Sequence, residues 1–108
     1  MTIEALSWEV TIDSGMHFTV LSHKEAVVVS ITNTPTPALI VQAEPDEEPR
    51  ILLGNRQSEI SVLLVSKLAE LFFPRQVVAL LGFREELNVD DLREIVEHVK
   101  HRCKFSSS

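Results

Sequence analysis

Several residues of this 108-residue chain have types and spacings that could do chemistry. The stretch Ile51-Leu52-Leu53-Gly54-Asn55-Arg56-Gln57-Ser58-Glu59 runs a short apolar segment through a glycine into a helix start. Phosphate sites are built in that order, because a helix N-terminus offers unpaired amides and the positive end of a dipole. A P-loop, however, requires G-x-x-x-x-G-K followed by Ser or Thr, and a dinucleotide fold G-x-G-x-x-G, so that successive glycines let the backbone approach the phosphate. Here there is one glycine and no lysine before Ser58. The stretch reads as a strand-to-helix connector whose one anion-binding feature is Arg56.

His98, His101 and Cys103 resemble a ligand set at first sight. On a helix of about 3.6 residues per turn His98 and His101 share a face, but Cys103 lies about 140° round from His98 and falls on the apolar stripe. Glu94 with His98, and Glu97 with His101, have the spacing of i,i+4 surface pairs. A nucleophilic Cys103 would need a base and a positive setting at a helix N-terminus; it sits near a helix C-terminus, where the dipole raises a thiol's pKa. Glu85-Glu86 and Asp90-Asp91 fall at a turn and a helix start, where acids favour the dipole, with no histidine or glycine loop near them. No catalytic, metal or cofactor constellation survives, and no enzyme activity is expected.

The elements that would position these residues follow from periodicity. Leu6-Ser7-Trp8-Glu9-Val10-Thr11-Ile12 alternates apolar with polar, the mark of a strand with one buried face, so Trp8 reads as core or interface. Asp13-Ser14-Gly15 turns the chain into a second strand, His17 to Leu21, and Ala26 to Thr32 forms a third. Pro35 and Pro37 interrupt the ladder before Ala38 to Ala43, and the acidic, proline-bounded Glu44 to Pro49 leads to Arg50–Leu53. That acidic loop is either a patch for a basic partner or a solvated hairpin tip. Ser58 suits an N-cap, and Ile60, Leu63, Leu64, Leu68, Leu71 and Phe72 recur at helical spacing until Pro74. Gln76 to Phe83 is a strand, and Asn88 caps a last helix whose stripe is Val89, Leu92, Ile95, Val96, Val99 and Cys103.

The expected fold is therefore α+β: a mainly antiparallel sheet of about six strands with two helices packed on one face, in the order β-β-β-β-β-α-β-α. One domain over residues 1–105 with a frayed 106–108 tail fits the length.

Composition narrows the class. No apolar run approaches the roughly 18 residues of a membrane span, and no secretory signal or presequence is visible, so a soluble protein with no membrane association is expected. The single cysteine cannot form an internal disulfide, which fits a cytoplasmic or also nuclear setting. Net charge is 10 − 16 = −6 and the basic residues are scattered, so nucleic acid is not an expected partner.

Two helices can cover only one face of such a sheet, yet the middle strands are apolar on both sides. Val28, Ile40, Leu52, Val78 and Leu80 alternate against the other apolar residues of their strands and are the candidates for a dimer interface; loops folding across that face are the other cover. The face that meets the helices cannot be read from the pattern alone.

The strings "EAVVVSITNT", "LIVQAEP", "RILLGNRQSEISVLLVSKLAELF", "RQVVALLGF" and "LREIVEHVKHRC" together resemble the proteasome assembly chaperone 3 family, over Trp8 to Cys103. The resemblance implies a sheet with helices on one side, dimerisation with itself or a related small chaperone, and binding of a proteasome α-type subunit while the 20S α-ring forms. It implies no enzymatic activity and no cofactor, and Asn55, Arg56 and Gln57 become candidate partner contacts. The alternative is a small roadblock- or longin-like adaptor of a trafficking or motor complex; those folds place a helix early, between strands.

Overall fold

The computed structural model describes the backbone of residues 4–10 and the whole of residues 15–54 and 59–103. The chain runs β1 (Glu4–Val10), β2 (Met16–Ser22), β3 (Ala26–Thr32), β4 (Leu39–Ala43), β5 (Arg50–Leu53), α1 (Glu59–Phe72), β6 (Gln76–Gly82) and α2 (Val89–Arg102). The expected α+β order is the one observed. The first strand begins two residues earlier than its alternation indicates; the turn residues 11–14 and the expected cap Ser58 lie outside the described residues.

The sheet order is β1-β2-β3-β6-β4-β5. β1, β2 and β3 form an antiparallel meander and β4–β5 a hairpin, but β6 is inserted between β3 and β4, parallel to the first and antiparallel to the second. The sheet is thus mainly antiparallel, as expected, with β3–β6 the parallel pair. The reason lies in the proline-bearing connection, which cannot make a ladder turn and instead crosses the end of β6. Asn33 N donates to the Gly82 carbonyl and Ala38 N to that of Leu81, both at 2.9 Å. A Cβ on Gly82 would run into Thr34 Oγ1 and lie 3.1 Å from the Thr36 carbonyl oxygen, so a side chain there would displace the crossing connection.

One face of the sheet carries the core. Met16, Phe18 and Val20 of β2, Val27, Val29 and Ile31 of β3, Val77, Ala79 and Leu81 of β6, and Val41 and Ala43 of β4 are buried against α1 and α2. Each large side chain among them contributes about 1.5–3 kcal/mol of transfer free energy. The β5–α1–β6 crossover carries α1 over β4 and β6, and α1 also packs beside α2. Its buried stripe is Ser61, Leu64, Val65, Leu68 and Phe72. Leu63, expected inside, is instead 45 % exposed, because a helix lodged between a sheet and a second helix buries the arc facing both.

α2 opens on a capping box. Asn88 Oδ1 accepts from Asp91 N at 2.8 Å while the Asp91 carboxylate accepts from Asn88 N at 3.3 Å, and Lys100, His101 and Arg102 meet the negative end of the dipole.

Candidate functional site

On the face turned away from the helices, register places side chains in cross-strand rows. Thr19 pairs with Ser30, Ser30 with Leu80, Leu80 with Ile40 and Ile40 with Leu53. The next row is Leu21, Val28, Val78, Gln42 and Arg50. The face is therefore divided: aliphatic at Val28 of β3 and over β6, β4 and β5, and polar at His17 and Thr19 of β2 and at Ser30 and Thr32 of β3. Its lower margin is a polar bridge in which Gln42 Nε2 donates to Gln76 Oε1 at 3.0 Å and to Glu44 Oε1 at 3.2 Å.

The candidates Val28, Ile40, Val78 and Leu80 come together on this face, each half-buried by its neighbours alone. Leu52 joins them at its β5 edge, 53 % exposed. Sequence alternation sets Leu53 with Ile51 on the opposite side, but the register shifts at Ile40/Val41: Ile51 faces Val41 and Leu53 faces Ile40, with Leu52 the extra residue. Leu53 is 51 % exposed and so extends the apolar strip that the alternation denied it. Leu21, 40 % exposed, is a further member that the sequence reading did not single out, although it alternates with Val20 on β2. Asn55, Arg56 and Gln57 fall outside the described residues.

The chemistry-bearing residues are dispersed. His101 Nε2 lies 3.9 Å from Glu97, as its spacing suggests, but His98 does not pair with Glu94 as expected; its ring tilts over Phe18 with centroids 6.2 Å apart, because α2 lies across β2 at that point. Cys103 is half-buried, and burial pushes its thiol above the ordinary 9.0, against the pull of the Arg75 guanidinium. Among the described residues no cluster of three or more His, Cys, Asp or Glu could hold a metal ion. Nor is any helix of these residues long and apolar enough to cross a membrane.

A cleft of about 300 Å³ opens above the carboxyl end of β6, walled by Leu39, Leu81, Phe83 and Leu87, with Ser61 inside and Arg84, Glu85 and Glu86 among its lining. No histidine, lysine or cysteine is among its lining residues, and Ser61 is buried. At the opposite end the acidic loop is a solvent-exposed tip in which Glu44 sits beside Glu47 and raises the latter's carboxyl above the ordinary 4.5, by hydrogen bond and by like charge. What the geometry assembles is a surface: a sheet face with an aliphatic strip and a polar border. Compared with known proteins, the chain matches no family model and no curated protein.

Proposed function

We propose that the protein is a non-catalytic chaperone of proteasome assembly, which dimerises through the open sheet face and holds a 20S α-type subunit while the α-ring is built. The observation that carries this reading is the aliphatic strip of Val28, Val78, Leu80, Ile40, Leu52 and Leu53 on a sheet face that the chain's own helices leave uncovered. Apolar strips on single protein faces mark surfaces that bind other proteins, and sheet-on-sheet packing at about 10 Å is the simplest cover. The sequence resemblance supplies the partner: a small assembly chaperone acting alone or with a related one, in cytoplasm and nucleus. The dimer fixes one α subunit as its neighbours join and leaves when later subunits compete for the same surface.

The adaptor alternative is disfavoured by the element order, since the first helix of this chain follows five strands. Affinity purification of the tagged full chain followed by mass spectrometry tests the reading. Recovery of proteasome α subunits is the expected result; repeated recovery of vesicle or motor components without them overturns it.

A further inference from the structure

The chain has five prolines, and two of them follow a hydroxyl residue: Pro35 after Thr34 and Pro37 after Thr36. Pro45 and Pro49 follow glutamates, and Pro74 a phenylalanine. Threonine before proline is the acceptor pattern of one class of protein kinases. A pocket that offers no acceptor to the next residue's N–H takes proline, which has none, and leaves any other residue with an unpaired buried donor.

The two threonines differ in how they are held. Thr34 is half-buried, and its Oγ1 donates to the Thr36 carbonyl at 2.8 Å and occupies the place where a Cβ on Gly82 would stand. Thr36 is exposed beside an exposed Pro35, and its hydroxyl makes no hydrogen bond among the described residues. The segment is tied to the sheet at its two ends, by Asn33 N to the Gly82 carbonyl and by Ala38 N to that of Leu81, while Arg84 N donates to Asn33 Oδ1 at 2.8 Å. Between those ties Thr36 is free to rise from the surface, as an acceptor entering a kinase cleft must.

The segment also has a definite place on the sheet. On β6 the side chains of Val77, Ala79 and Leu81 enter the core, so Val78, Leu80 and Gly82 face the other way. A Cβ on Gly82 would lie 3.1 Å from the Thr36 carbonyl oxygen and 3.3 Å from Pro37 Cα. The 33–38 connection therefore folds over the open face, at the end of β6 next to Leu80, and Thr36 stands at the margin of the aliphatic strip.

We propose that Thr36 is the acceptor of a phosphate delivered by a proline-directed protein kinase, and that this phosphate opposes self-association through the open sheet face. The Thr36 hydroxyl oxygen bonds to the γ-phosphorus of ATP as the bond from that phosphorus to the bridging oxygen of ADP breaks; ADP leaves, and the hydroxyl proton passes to a carboxylate of the kinase. The product adds about two negative charges at neutral pH. The chain already stands at −6, and Arg84, the cation next to the segment, is followed at once by Glu85 and Glu86, so the surroundings do not neutralise the phosphate. A dianion at the margin of an apolar strip has to shed water before a second copy can cover it, and that copy carries charge of the same sign. The acceptor role does not depend on the chaperone reading, whereas the effect on self-association rests on the dimer of that reading.

A kinase of the cyclin-dependent class, with ATP, is applied to the folded full chain and to a peptide of residues 31–41, and the products are read by intact mass and fragmentation. The peptide is expected to take phosphate at both threonines, the folded chain at Thr36 alone. Thr36→Val, which keeps the carbonyl that Thr34 uses, should abolish incorporation at an unchanged unfolding midpoint, and Thr36→Ser should restore it. No incorporation into the folded chain, equal incorporation at Thr34, or full incorporation into Thr36→Val overturns the acceptor site. Sedimentation velocity of the phosphorylated and untreated chains reads the second half. Phosphate is expected to weaken the dimer by at least about tenfold; equal or tighter association overturns that effect and leaves the dimer standing. An untreated chain that stays monomeric overturns the dimer and the effect together, with Thr36 still decided by its mass.

Discussion

Glycine at position 82 shows how one missing methyl group permits a topology. The 33–38 connection folds over the end of β6 where nothing projects from Gly82 toward Thr34 Oγ1 and the Thr36 carbonyl oxygen. Gly82→Ala therefore must move Thr34, which itself donates to the Thr36 carbonyl at 2.8 Å. We expect a loss of about 1–3 kcal/mol in urea unfolding, the usual cost of forcing atoms into a closed space; an unchanged midpoint would mean that the connection shifts freely. None of this was legible in the sequence, where Gly82 reads only as the end of an apolar run. The same limit applies at Leu53, whose exposure comes from a register shift against Ile40 that no alternation records. By contrast Val28, Ile40, Val78 and Leu80 were legible as a set, because period-2 alternation survives in regular strands; the side of the sheet they occupy was not, because both sides are apolar.

At the scale of elements, what was legible is what is encoded locally. The limits of β3 and β5 match their composition, and α2 begins where Asn88 precedes its apolar stripe. Strand order was not legible, since β6 enters the sheet between β3 and β4 through contacts distant in sequence. The edges are handled differently along the chain. β5 is only four residues long and carries the register shift, both of which blunt an edge that would otherwise invite another strand. α2 closes one side of the core with Leu92, Ile95 and Val99, so its start can be used as a probe of how firmly the helix is held. Asn88→Ala removes the acceptor for Asp91 N and leaves the reciprocal bond from the backbone N of residue 88 to the Asp91 carboxylate in place. A loss of about 1 kcal/mol is expected by chemical denaturation, with the unfolding slope unchanged, whereas Asn88→Asp should restore most of it.

For the whole molecule, the decisive property is that its two sheet faces differ in how their apolar residues are covered. The helices seal one face until Val27, Val29, Ile31, Val77 and Ala79 have no exposure, while the other keeps an aliphatic strip displaced toward β4 and β5. A partner sheet should therefore sit off-centre, over β6, β4 and β5, leaving the polar β2 side to water. A standard interface buries about 800 Å² per partner, and at about 25 cal/mol per Å² its apolar part must outweigh the loss of translational freedom on association. One carboxylate in the middle of such a strip has no cation to answer it: Arg50 lies a row away, opposite Gln42, and the Gln42–Gln76 bridge is neutral. Ile40→Asp should weaken self-association by at least about tenfold, since an unpaired buried charge costs well over 1 kcal/mol. Leu63→Asp places the same charge on an exposed apolar position of α1, on the helix side, and should change nothing. Sedimentation velocity from micromolar to hundreds of micromolar compares the three chains, with circular dichroism to establish that each is folded. A wild-type chain that stays at 12.2 kDa throughout, or an Ile40→Asp chain that still dimerises, would remove the open face as the interface.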